Sequence, residues 1–75
     1  MKELYLEIAQ DYEEDLKEAF EQIKTFEKLY STKNHTKEIR ELAKEILKKL
    51  YIERDEYEQK AKFYRNLFEK YQRSQ

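Results

Sequence analysis

Apolar and aromatic residues in the first half of the chain recur at alternating spacings of four and three. The eight positions are Tyr5, Ala9, Tyr12, Leu16, Ala19, Ile23, Phe26 and Tyr30. This alternation is typical of a coiled-coil seam, in which one face of a helix packs along a partner. The pattern predicts a first amphipathic helix over about residues 2–32.

The second half repeats the same spacing over about residues 37–72, which predicts a second helix. Its seam positions are Ala43, Leu47, Leu50, Arg54, Tyr57, Ala61, Tyr64, Phe68 and Tyr71. Arg54 is the one charge among these two seams. It is expected to bury its methylene groups, reach a carboxylate such as Asp15 or Glu58, and fix the register of the helices. Its functional alternative is a cation that contacts a partner.

The segment between the two seams predicts a turn at about residues 33–36. If the first seam continued, its next positions would be three cations, Lys33, Lys37 and Arg40. Three successive cations cannot be buried on a coiled-coil seam, so one continuous helix of about 110 Å is the poorer interpretation. Asn34 tolerates the left-handed conformation where the chain offers no glycine. Thr36 is the expected N-cap of the second helix, with Glu38 favourably placed in its first turn.

A short turn makes the helices antiparallel neighbours, and residue pairs whose numbers add to 73 give the best register. In that register each of the four alanines lies opposite a bulky residue, as interdigitated packing requires. The same register places two like charges, Glu13 and Glu58, opposite each other, which is unfavourable. A register in which the numbers add to 66 is the alternative, but it places Arg40 against Phe26.

The apolar surface of each helix is wider than its seam. The flanking apolar positions are Ile8, Phe20 and Leu29 on the first helix, and Ile39, Leu42, Ile46 and Leu67 on the second. A stripe of this width is typical of helices in bundles of three or more. The fold expected is therefore all-α, an antiparallel, coiled-coil-like helical hairpin that dimerises with C2 symmetry into a four-helix bundle. The rival is a monomeric hairpin that docks on a different protein.

Composition agrees with long helices and little loop. The chain has 75 residues with no glycine and no proline, and it carries 14 glutamates and 12 lysines. Its length predicts a single domain over residues 1–75, with a core that contributes only about 3–5 kcal/mol of net stability. Cysteine is absent and there is one histidine, which excludes disulfides and argues against a structural zinc site. Association with another chain is the remaining source of stability.

Location and chemistry are constrained mainly by what the sequence lacks. The longest uninterrupted apolar runs, residues 4–6 and 50–52, are three residues each, too short to span a membrane. Acidic residues interrupt the first fifteen positions, so no signal peptide is expected and the predicted location is cytoplasmic. His35 is expected to be a solvated residue at the turn. No motif for catalysis, metal binding or cofactor binding is found, so an enzyme is not expected.

The function expected is protein–protein interaction, as a small adaptor, regulator or inhibitor. Aromatic residues dominate binding hot spots, and they concentrate at the end of the hairpin opposite the turn. The candidate contact residues are Phe63, Tyr64, Phe68 and Tyr71, together with Arg54. The size and the composition rich in Lys, Glu and Tyr suit a viral, plasmid or other mobile-element product.

Nucleic-acid binding is the alternative function. A stripe of cations follows the second helix, formed by Lys37, Arg40, Lys44, Lys48, Lys62 and Arg65. Such a stripe is able to neutralise phosphates, but the net charge of −1 gives no basic excess. The charges are unevenly divided: residues 1–30 carry −5 and residues 31–75 carry +4. This division favours the pairing of an acidic helix with a basic one.

Overall fold

Two helices pack against each other along their whole length to form an antiparallel hairpin. The computed structural model describes residues 2–32 and 35–73. Helix α1 spans Lys2–Ser31 and helix α2 spans Lys37–Arg73. The molecule is an elongated rod measuring 58 × 14 × 14 Å. The expected all-α hairpin is confirmed, and the single unbroken helix is excluded.

Hydrogen bonds at the turn explain where each helix ends. The hydroxyl of Thr32 donates to the carbonyl oxygen of Lys28 at 2.7 Å, and that oxygen also accepts from the backbone N–H of Thr32. The backbone N–H of Ile39 donates to the hydroxyl of Thr36 at 3.3 Å, which confirms Thr36 as the N-cap of α2. The expected left-handed conformation of Asn34 lies outside the described residues.

Arg40 fastens the turn from the side of α2. Its Nε donates to the carbonyl oxygen of Tyr30 at 3.1 Å, and its guanidinium lies 5.4 Å from the centre of the Tyr30 ring. The Tyr30 carbonyl belongs to the last turn of α1, where no further helical N–H is available to bond it. Arg40, which could not be buried in a continuous seam, therefore satisfies a carbonyl group at the C-terminal end of α1.

The core follows the two predicted seams. Its buried residues are Ala9, Ala19, Ile23, Ala43, Leu47, Leu50 and Ala61, so all four alanines are inside. In the half near the turn, Ile23, Leu47 and Leu50 form one cluster, with Phe26 packed against it. These contacts agree with the pairs Ile23/Leu50 and Phe26/Leu47 of the preferred register.

The half of the hairpin near the chain termini is packed by tyrosines. Five rings form a continuous ladder in the order Tyr71, Tyr5, Tyr64, Tyr12 and Tyr57. Successive ring centres along it are 5.5, 6.4, 6.0 and 6.3 Å apart. Tyr5 and Tyr12 thus each lie between two α2 tyrosines that are one heptad apart.

The ladder determines the register of the helices. Tyr12 contacts the rings of Tyr57 and Tyr64, on either side of the buried Ala61. This is the arrangement expected when the numbers of facing residues add to 73. The shorter register would place Tyr5 between Tyr57 and Tyr64, whereas Tyr5 contacts Tyr64 and Tyr71. The predicted register is confirmed.

We expect Tyr64→Ala to remove most of the stability of the hairpin. Tyr64 contacts the rings of Tyr5, Tyr12 and Phe63. Truncating a well-packed aromatic residue costs about 3 kcal/mol, a large part of the ~3–5 kcal/mol a core of this size supplies. Urea unfolding followed by circular dichroism measures the loss. Ile52→Ala, at an exposed position of the same helix, is the control and should change the unfolding free energy by less than about 0.5 kcal/mol. Equal effects of the two substitutions would contradict the structural importance of the ladder.

Candidate interaction surfaces

The two helices lie side by side, so the surface outside the seam divides into two faces, one on each side of the seam. On one face, Nη2 of Arg65 donates to Oε1 of Glu13 at 2.6 Å. On the same face, the hydroxyl of Tyr51 donates to Oε2 of Glu27 at 2.8 Å. Glu13 and Glu27 are two heptads apart, as are Tyr51 and Arg65, so both contacts lie on one side of the seam. We call this side the polar face.

The polar face resolves the misfit between Glu13 and Glu58. The two carboxylates do not face each other without partners. Glu13 binds Arg65, and Oε1 of Glu58 lies 3.2 Å from Nζ of Lys62. The Nε of Arg65 is buried and has no hydrogen-bond partner among the described residues. Arg65 is therefore drawn into the hairpin, and sequence spacing alone did not indicate this contact between helices.

The opposite side, which we call the aliphatic face, is apolar at both ends and polar in the middle. Its apolar residues are Leu4, Ile8, Leu29, Ile39, Leu42, Ile46, Phe63 and Leu67, all exposed or half-buried. Between them lies a hollow of about 140 Å³ lined by residues that include Asp15, Gln22 and Glu53. Asp15 and Gln22 continue the row of Ile8 and Leu29 at heptad spacing, and Glu53 continues the row of Ile46. The two rows therefore flank one side of the hairpin.

The predicted flanking residues divide between these faces. All of them except Phe20 belong to the aliphatic face. Phe20 follows the row of Glu13 and Glu27 at heptad spacing and is exposed on the polar face. It lines a cleft of about 370 Å³ there with Leu16 and charged neighbours.

The four aromatic residues predicted as partner contacts differ in accessibility. Phe63 is 58% exposed and Tyr71 is 49% exposed. Tyr64 and Phe68 are half-buried, and Tyr64 is held within the tyrosine ladder. The structure thus brings these residues to one end of the hairpin but presents chiefly Phe63 and Tyr71 on its surface.

Arg54 bonds to a different carboxylate from those expected. Its Nε lies 3.3 Å from Oδ1 of Asp55, the next residue, rather than at Asp15 or Glu58. Its guanidinium also lies 5.1 Å from the centre of the Tyr51 ring. The expected partners were wrong because the Arg54 side chain turns toward the Tyr51 ring and reaches its own neighbour on α2.

The predicted cationic stripe is divided into two groups. In the group far from the turn, Lys62 and Arg65 are bound to Glu58 and Glu13. In the group near the turn, Nζ of Lys48 lies 3.6 Å from Oε1 of Glu45. Both side chains are exposed, and ion pairs of this kind contribute little to stability. Among residues 2–32 and 35–73, Lys37 and Lys44 form no ion pair. Within the stripe, the cations available to an external anion therefore lie near the turn.

Two adjoining clefts lie beside these turn-proximal cations. The larger has a volume of about 430 Å³ and is lined by Glu27, Tyr30, Lys44, Leu47, Lys48 and Tyr51. The smaller has a volume of about 260 Å³ and is lined by Tyr30, Lys37, Arg40, Glu41 and Lys44. Tyr30 and Lys44 belong to both clefts. The apolar side chain of Leu47 in the larger cleft therefore lies close to Lys37 and Lys44, the cations without an ion pair in the described part of the chain.

Two tyrosines have raised pKa values. The hydrogen bond from Tyr51 to the Glu27 carboxylate raises the pKa of Tyr51 above 10.0, and burial adds to the effect. Burial is the first cause of the raised pKa of Tyr57, followed by the negative charges of Glu53 and Asp15. Both effects favour the neutral phenol.

No group of three or more His, Asp or Glu side chains in residues 2–32 and 35–73 is arranged to hold a metal ion. Neither of the two described helices is long and apolar enough to cross a membrane. Comparison with protein-family models, curated proteins and solved structures finds no match.

We expect Arg54→Leu to raise the melting temperature or to change the oligomeric state. The substitution removes the charge from the seam and completes its apolar surface. Thermal unfolding and light scattering measure the two effects, with Arg54→Lys as the variant that retains the charge. A clear fall in melting temperature with unchanged assembly would count against a role for Arg54 in register.

Alkaline pH is expected to destabilise the hairpin through Tyr51. Because its folded-state pKa lies above the unfolded value, the stabilisation is complete below about pH 10 and is lost as pH rises through the folded-state pKa. Tyr51→Phe should therefore flatten the fall in melting temperature above pH 10. Glu27→Gln should lower the pH at which Tyr51 ionises, as measured by the absorbance of tyrosinate. Identical alkaline profiles for all three proteins would refute the coupling.

Proposed function

We propose that this chain is a small protein-interaction module that self-associates into a four-helix bundle and acts as an adaptor, regulator or inhibitor. The observation that supports this most is the aliphatic face. Leu42 is 61% exposed and Phe63 is 58% exposed on it, close to the half-buried Ile46 and Leu67. Clustered exposed apolar residues on a small protein mark an interaction surface.

The surface area of the chain supports association with further helices. A compact monomer of 9.4 kDa exposes about 5,000 Å², whereas this chain exposes 6236 Å². The difference of about 1,200 Å² exceeds the ~800 Å² that each partner buries in a standard interface. The rod therefore has enough surface for a stable interface without loss of its own seam.

If the hairpin stays a monomer, the exposed aromatic residues at its terminal end are the proposed contact for a different protein. Phe63 and Tyr71 offer large rings at the end of the rod. Rings of this kind contribute strongly to binding when a partner buries them.

Light scattering on the full chain tests self-association. We expect a mass of twice 9.4 kDa at micromolar concentration, with a helical circular-dichroism spectrum. A helical monomer at every accessible concentration would refute the dimer and would favour the hairpin that docks on a different protein. Capture from a host lysate, compared between the wild type and Phe63→Ser/Tyr71→Ser, would then identify such a partner and its contact surface.

Nucleic-acid binding is the second candidate, and the free cations near the turn favour it. Lys37 and Lys44 form no ion pair within the described part of the chain, and they adjoin two clefts. Phosphate groups would bind such cations and release counterions.

A charge-reversal experiment tests this second function. If it is correct, bulk RNA or DNA should bind in a salt-dependent manner, and Lys44→Glu/Lys48→Glu should abolish binding. Lys17→Glu/Lys24→Glu on α1 makes the same change in net charge and should leave most of the binding. Equal loss in both variants would show a response to net charge rather than binding at the stripe.

A further inference from the structure

The two faces of the hairpin are unequal, and the difference indicates how a second copy would pack. We propose that a second copy covers the aliphatic face, with the two-fold axis parallel to the helices. The two turns then lie at the same end of the bundle, and α1 of each copy faces α2 of its partner. This arrangement rests on the self-association proposed above and specifies its surface and orientation.

The polar face is the less suitable surface for a second copy. The contacts Glu13–Arg65 and Tyr51–Glu27 already cross the seam on that side. Covering these charged groups would remove them from water, which is costly unless every group keeps a partner.

The aliphatic face offers two apolar clusters separated by the polar middle. The turn cluster consists of Leu29, Ile39, Leu42 and Ile46, and the terminal cluster consists of Leu4, Ile8, Phe63 and Leu67. The centres of the clusters are about 22 residues apart along α1, which corresponds to roughly 33 Å of helix. A second copy can cover both clusters at once only if its own apolar clusters have the same separation.

Two symmetric arrangements satisfy this spacing. With the two-fold axis parallel to the helices, each cluster meets its own copy. With the axis perpendicular to the helices and in the plane of the interface, the turn cluster of one copy meets the terminal cluster of the other. Both arrangements bury similar apolar surface, so the charges between the clusters decide between them.

Those charges disfavour the perpendicular axis. On the aliphatic side of α1, the polar middle carries Asp11, Asp15 and Glu18, and none of them forms an ion pair within the described residues. A perpendicular axis would place α1 on α1 and bring six carboxylates together. Like charges brought together at an interface are strongly unfavourable.

The parallel axis removes this repulsion. It places the acidic row of α1 against α2 of the partner, whose corresponding surface carries Lys49 and Lys60 as well as Glu53 and Glu56 and so has no net charge. The two halves of the chain are also of opposite sign, with −5 over residues 1–30 and +4 over residues 31–75. Electrostatic complementarity of this kind selects orientation more than it adds affinity.

Spin labels at the turn distinguish the two orientations. The chain contains no cysteine, so His35→Cys gives a single labelling site on the exposed turn. In the proposed dimer, the distance between the two labels should lie within the combined width of two hairpins, each 14 Å across. The perpendicular arrangement would instead give a distance approaching the 58 Å length of the rod. Pulsed electron–electron double resonance measures the distance between the two labels.

A matched pair of substitutions tests the face. Leu42 and Ile52 are both 61% exposed on α2, but Ile52 points away from both faces. Leu42→Glu should weaken dimerisation at least tenfold, because it puts a charge where the second copy would cover an apolar side chain, whereas Ile52→Glu should change it little. Both variants should retain the helical spectrum of the wild type.

The possible outcomes separate this inference from the proposed function. A wild-type monomer refutes self-association and this arrangement together. A dimer with distant labels retains self-association and overturns the parallel axis. A dimer that Leu42→Glu weakens no more than Ile52→Glu overturns the choice of face. Close labels together with selective loss in Leu42→Glu support the proposal.

Discussion

Small residues opposite large rings set the distance between the two helices, and the remaining contacts depend on that distance. Ala9, Ala19, Ala43 and Ala61 are all buried along the seam. Where an alanine lies on one helix, a bulky side chain of the other has room to enter. Because Ala61 occupies little space, Tyr12 lies between Tyr57 and Tyr64, and the ladder continues through Tyr5.

The seam changes chemistry along its length. Near the turn it is built from Ile23, Leu47 and Leu50, which pack without polar atoms. Toward the termini it is built from tyrosines, whose rings are apolar but whose hydroxyl groups require water or a polar partner. The terminal half of the core therefore has more contact with water. Near the turn, Arg40 bonds the last turn of α1 and Thr36 caps the start of α2.

The hairpin and its register could be predicted because both depend on periodic positions. The 4-3 spacing identifies the buried residues, and the positions of the alanines select one register from two. The capping role of Thr36 follows from its hydroxyl group and its location just before Lys37. These features involve short or strongly constrained side chains, whose direction follows from the backbone.

The contacts of long charged side chains could not be predicted in the same way. Arg54 was expected to reach Asp15 or Glu58 but binds Asp55, and Arg65 crosses the seam to Glu13. Arginine and glutamate have several rotatable bonds, so each reaches carboxylates on its own helix as well as on its neighbour. The roles of the proposed contact residues and of the cationic stripe remain predictions.

The tyrosine ladder also gives the protein a distinctive optical property. The chain has no tryptophan, so its near-ultraviolet emission comes from tyrosine without a competing acceptor. Ring centres only 5.5–6.4 Å apart allow excitation to migrate from ring to ring along the rod. Unfolding separates the rings and ends this transfer, so tyrosine emission can follow assembly of the terminal half without an added label.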